Sequence, residues 1–121
     1  MLTQRISDVI LPYFAGFKNK DVCKITTNFS DDIVLIDWTG SWVSRMHVGS
    51  AIQSIVEKND IEIIPRQIYE SSKGASDVIV TCLIDIVIDQ GDPIRVVDLI
   101  TVTGGMYGGA WKISKIDAFK Q

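Results

Sequence analysis

The sequence predicts an α+β domain, and three observations carry that expectation. Apolar residues recur at spacings of three and four from Ile6 to Phe17, the period of an amphipathic helix. From Ile61 onward the apolar period shortens toward two, the period of a strand. Turn-forming clusters at Ser72-Lys73-Gly74-Ala75-Ser76 and Gln90-Gly91-Asp92 cut that second half into long strands. Helices gathered on one side of a largely antiparallel sheet give an α+β layer architecture.

The elements follow in order. Ile6, Val9, Ile10, Tyr13, Phe14 and Phe17 form one face of the first helix, in which Pro12 introduces a kink or a tighter turn. Gly16 to Lys20 break it. Asp21 caps a short second helix over Val22–Asn28, with Val22, Ile25 and Phe29 facing inward. Ile33–Trp38 is a short strand ended by Thr39-Gly40-Ser41, and residues 41–47 are irregular. Ser50–Lys58 is a third helix with Ala51, Ile52, Ile55 and Val56 as its buried stripe. The strands Ile61–Ser71, Asp77–Asp89, Pro93–Val102 and Ala110–Phe119 complete the order ααβαββββ. Pro65 marks an edge position or a bulge. Gly104–Gly109 is a glycine-rich hairpin loop. No linker or repeat divides the chain, so residues 1–121 read as one domain.

Composition narrows the function classes. The 121 residues are 46% hydrophobic and 22% charged, with a net charge of −3 and no basic run. That argues against nucleic acid as the main partner. No apolar run approaches the ~20 residues of a membrane helix, and Ser7, Asp8 and Pro12 interrupt any signal-peptide core. The expectation is a cytoplasmic protein, with Cys23 and Cys82 as two buried thiols rather than a disulfide. One His and two scattered Cys argue against a metal site. No cofactor is expected: Gly104–Gly109 lacks the spacing and the following helix of a phosphate cradle.

Asp98 is the residue that points to chemistry. It shares a strand face with Ile94, Val96, Ile100 and Val102, whereas Arg95 and Thr101 lie on the other face. An ionised acid on a buried face costs several kcal/mol, roughly, unless it finds a partner or keeps its proton. Asp85 also lies inside a strand, but the alternation places it on the less buried side. His47 fits a solvated or helix-capping role, or that of a pocket base.

Several segments together carry a resemblance. They are Asn19-Lys20-Asp21, Phe29-Ser30-Asp31-Asp32, Asp37 near a strand end, Val48-Gly49-Ser50-Ala51-Ile52, and Trp111 through Phe119. In this order the chain resembles the cone-shaped superfamily that includes nuclear transport factor two, the SnoaL-like polyketide cyclases and ketosteroid isomerase. The resemblance implies a curved, cystatin-like sheet wrapped around a long N-terminal helix, a conical apolar pocket for a small hydrophobic ligand, and a homodimer. Phe29–Ser41 is most similar to the ketosteroid isomerase segment around its general base. By that resemblance Asp37 is the base, Tyr13 the phenol donor, and Asp98 the protonated acid that donates beside it. The pocket lining would include Phe17, Trp38, Trp42, Met46, Val96 and Ile100. A non-catalytic pocket or dimerisation module of the same fold is the alternative. There Asp98 is a buried acid bonded to neighbours, Asp37 a strand-end acid bonded into the Thr39-Gly40 turn, and Tyr13 a core residue. Trp38, Trp42 and Met46 would serve either as an apolar lip or as a dimer contact.

Overall fold

The helical period at the N-terminus and the strand period beyond residue 61 both become regular structure. The computed structural model describes residues 5–72, 74, 76–105 and 109–121. Its elements are α1 (Ile6–Lys18), α2 (Val22–Thr26), β1 (Phe29–Asp37), β2 (Gly40–Val43), α3 (Arg45–Lys58), β3 (Ile61–Ser72), β4 (Asp77–Ile88), β5 (Ile94–Thr103) and β6 (Lys112–Lys120). The order is therefore ααββαββββ, with one strand more than expected. Residues 41–47 are not irregular: β2 folds back on β1, pairing Trp42 with Leu35 and Val43 with Val34. A strand of four residues is too short to display a period.

Local capping sets the helix bounds. Asp21 accepts a hydrogen bond from the Lys24 N–H at 3.0 Å and starts α2. That helix stops at Thr26, and Phe29 already belongs to β1. Ser44 accepts from the His47 N–H at 3.2 Å, so α3 begins at Arg45, well before the expected Ser50. Its buried stripe is Val48, Ile52 and Val56, one residue per turn, while Ile55 is exposed. Gly16 lies inside α1 because α2 crosses it closely: a Cβ there would stand 2.6 Å from Ile25 Cγ1.

The six strands form one sheet in the order β2-β1-β6-β5-β4-β3. Every pair is antiparallel except β1 and β6, which are parallel. β3 is an edge strand, and its register shifts between Pro65 and Gln67, so the proline has both roles read for it. α1 packs on β3 and β6, and α3 on β1 and β2. Val9, Ile10, Phe14, Ile33, Ile100 and Ile113 are among the residues closed between helices and sheet. No helix among the described residues is long and apolar enough to cross a membrane.

Two residues depart from expectation. Cys23 is a free, exposed thiol, because α2 is a single short helix that buries only Ile25; Cys82 is free and buried. Asp85 does lie on the face away from the helices, yet it is buried, because Arg66 folds over it from the β3 bulge. The expected loop Gly104–Gly109 includes residues 106–108, which lie outside the described residues.

Candidate functional site

The alternation of β5 turns Val96, Asp98, Ile100 and Val102 toward the helices, and Asp98 is 4% exposed there. Register fixes its neighbours. Asp98 pairs with Cys82 on β4 and with Ala118 on β6, and Cys82 pairs with Ile68 on β3. On the far side Ile36 pairs with Asp117, so Asp37, one residue on, continues the row beside Ala118. The row Ile68, Cys82, Asp98, Ala118, Asp37 thus crosses five strands on the helix-facing side. Neighbouring strands are about 4.8 Å apart, which puts the backbones of the two acids roughly 10 Å apart. Ala118 is the residue between them in that row.

Tyr13 enters from α1. Its ring meets Phe17 edge-on at 5.4 Å and tilts against Phe14 at 5.3 Å and Phe29 at 5.9 Å. Burial holds the pKa of its phenol well above the ordinary value, and the negative charges of Asp98, Asp37 and Cys82 push it further up. Burial, then the charge of Asp37, push the Asp98 carboxyl up to about 7. Burial, then Asp98, push the Cys82 thiol up to about 12. At neutral pH the interior therefore holds a protonated phenol, a protonated thiol and an acid that keeps its proton much of the time.

Hydrogen bonding separates the two acids. Asp37 Oδ1 accepts from the Thr39 N–H at 2.7 Å, the Thr39 hydroxyl at 2.6 Å and the Gly40 N–H at 3.1 Å. Asp37 is half-buried, and its Oδ2 has no hydrogen-bond partner among the described residues. One oxygen anchors the β1–β2 turn and the other is uncommitted. The Asp98 carboxyl and the Tyr13 hydroxyl likewise have no hydrogen-bond partner among the described residues. Such groups can still donate to, or accept from, a bound molecule.

The structure brings Tyr13, Asp37 and Asp98 into one electrostatic neighbourhood. Phe17, Val96 and Ile100 are buried in the same interior, and Trp42 packs half-buried against it. Trp38 and Met46 are not brought there. Trp38 is half-exposed under the Lys120 ammonium, 6.0 Å from its ring centre, and Met46 is 71% exposed. His47 is exposed, its Nδ1 2.9 Å from Ser44 Oγ and 3.0 Å from the Val43 carbonyl oxygen, at the start of α3. Cys82 and Ala118 are site neighbours that sequence reasoning missed. Their inward phase was legible, but their register against Asp98 was not. No three His, Cys, Asp or Glu residues cluster to hold a metal among the described residues.

No family model matches the sequence, and no curated protein matches it. Solved structures do. An uncharacterized protein with a cystatin-like fold from Caulobacter vibrioides superposes with a TM-score of 0.85 at 12% identity, over 96% of this chain and 87% of that one. A ketosteroid isomerase-like protein from Erwinia carotovora atroseptica gives 0.75 at 16% identity, over 95% of this chain and 92% of that one. An NTF2-like protein of unknown function from Cytophaga hutchinsonii gives 0.73 at 12% identity, over 100% and 95%. Agreement over the full length at such low identity establishes architecture rather than activity. The three helices, the curved six-stranded sheet and these superpositions together identify the chain as one with the NTF2-like, cystatin-like fold.

Proposed function

We propose that the helix-facing interior binds a small hydrophobic carbonyl compound and moves a proton on it, in chemistry of the isomerase or cyclase type. Asp37 is the base: its uncommitted Oδ2 takes a proton from the carbon next to the carbonyl. The C–H electron pair becomes the enolate π bond, and the carbonyl oxygen takes up the negative charge. Tyr13 and Asp98 donate O–H hydrogen bonds to that oxygen, and donors already in place there stabilise the transition state. Asp37 then returns the proton at another carbon of the same system. The observation that carries this reading is the Asp98 carboxyl, pushed up to about 7 beside a phenol that stays protonated, neither of them spent on a hydrogen bond to the described residues. Homodimerisation belongs to the same proposal. It is supported by Ile36 and Val43, which expose apolar surface on β1 and β2, at the end of the sheet opposite β3.

The test uses cyclic enones and β,γ-unsaturated ketones in deuterated water, with proton NMR following exchange and double-bond migration. The wild type is expected to exchange carbon-bound protons, and Asp37→Asn to lose about 100-fold or more. Tyr13→Phe and Asp98→Ala each remove a donor and are each expected to lose about 100-fold. Ligand-induced thermal stabilisation with no exchange on any compound would leave the non-catalytic binding module as the function. Exchange that survives in Asp37→Asn would remove Asp37 as the base.

A further inference from the structure

The sheet face turned away from the helices carries a second polar cluster, which the proposed proton transfer does not use. Asp85 on β4 is 4% exposed. Arg66, at the β3 bulge, donates from Nε to Asp85 Oδ2 at 2.5 Å, and its Nη2 reaches the same oxygen. The acid is enclosed, yet the arginine side chain keeps 60% of its surface open. Directly across from Asp85 on β5 stands Arg95, exposed and without an ion pair among the described residues. Arg66, Asp85 and Arg95 line a cavity of about 650 Å³ together with Leu83, Val97 and Gln121. That volume falls within the range of small-molecule sites.

The arrangement has a definite chemical bias. Among the described side chains that line the cavity, two guanidinium groups stand against one carboxylate, a surplus of one positive charge. Arg66 is held in one orientation by a buried partner, and less side-chain entropy is lost when it meets an anion. A guanidinium presents its N–H groups in a plane that matches a carboxylate. Leu83 and Val97 offer apolar contact to the rest of the ligand. We infer that this cavity is a second binding site, taking a small amphiphile that pairs a carboxylate with Arg95 and lays its hydrophobic body on β4 and β5. Its ligand class differs from the uncharged carbonyl compound proposed for the opposite face.

Naphthalene-2-carboxylate and uncharged naphthalene-2-carboxamide distinguish the cases when titrated into the ¹⁵N-labelled chain. The carboxylate is expected to shift the amides of Leu83, Asp85, Arg95 and Val97, and the carboxamide to bind at least about tenfold more weakly. Arg95→Gln is expected to weaken the carboxylate by about tenfold or more. The double variant Arg66→Gln with Asp85→Asn leaves no unpaired buried charge, and is expected to fold and to bind more weakly as well. Equal binding of the two probes would overturn the inference. So would unchanged affinity in Arg95→Gln, or shifts confined to the surroundings of Tyr13 and Asp98. An acidic peptide that shifts the same amides at lower concentration than the carboxylate would replace the small ligand with a protein partner and overturn it too.

Discussion

Asp98 and Ala118 are direct partners across β5 and β6, and the small side chain of Ala118 is what lies between Asp98 and Asp37. The charge of Asp37 contributes to holding the Asp98 proton, so this gap carries electrostatic coupling between the acids. Ala118→Leu fills it. The added bulk displaces any water there and buries the Asp98 carboxyl further, which disfavours its ionised form. The Asp98 carboxyl is expected to titrate higher in Ala118→Leu than in the wild type, read by carboxyl ¹³C NMR. Turnover or ligand binding on the helix-facing side should fall in the same variant. An unchanged titration would show that the row does not form a single environment.

Gly16 makes a separate prediction about the scaffold. A Cβ at this position meets Ile25 Cγ1 at 2.6 Å, the Ile25 backbone nitrogen at 3.1 Å and the Asp21 carbonyl oxygen at 3.2 Å. Two of the three are backbone atoms, so the clash cannot be relieved by rotating one side chain. Inside a helix Ala is ordinarily better than Gly by up to about 1 kcal/mol. Here the crowding reverses that preference: Gly16→Ala is expected to destabilise by about 1–3 kcal/mol, measured by urea unfolding. A stabilised variant would mean that α2 moves away from α1 at little cost.

The parts of this architecture legible in the sequence are those written in a period. The α1 face and the inward phase of Val96, Asp98, Ile100 and Val102 depend on residues a few positions apart. β2 escaped because four residues hold only two repeats of a strand. The early start of α3 escaped because its cap is Ser44, ahead of an exposed stretch of polar and mixed residues. The burial of Asp85 depends on Arg66, which lies on another strand and reaches it only because the register shifts at Pro65. Alternation fixes which face a residue takes, but not what folds over it from a neighbouring strand. The site shows the same division. Asp98 was legible as a buried acid from its own strand, whereas its pairing with Cys82 and Ala118 is a matter of register between distant segments.

The raised pKa of Asp98 makes a stability prediction with a definite sign. Its ordinary value is 3.8, and in the folded chain it stands at about 7. Between those two pH values the folded chain holds a proton that the unfolded chain has released. Folding stability contributed by this group is therefore fully present below about pH 3.8 and is lost as pH rises through about 7. Other carboxylates titrate over part of the same range, so the readout is the difference between the wild type and Asp98→Asn, whose side chain does not titrate. Asparagine keeps the size and a donor N–H, so packing changes little. From pH 4 to pH 8 the wild type is expected to lose stability relative to Asp98→Asn by an amount on the order of 3 kcal/mol, in urea unfolding at a series of pH values. A difference that stays flat across this window would mean that Asp98 titrates alike in the folded and unfolded chains. In that case it would be ionised at neutral pH and unable to donate the hydrogen bond assigned to it.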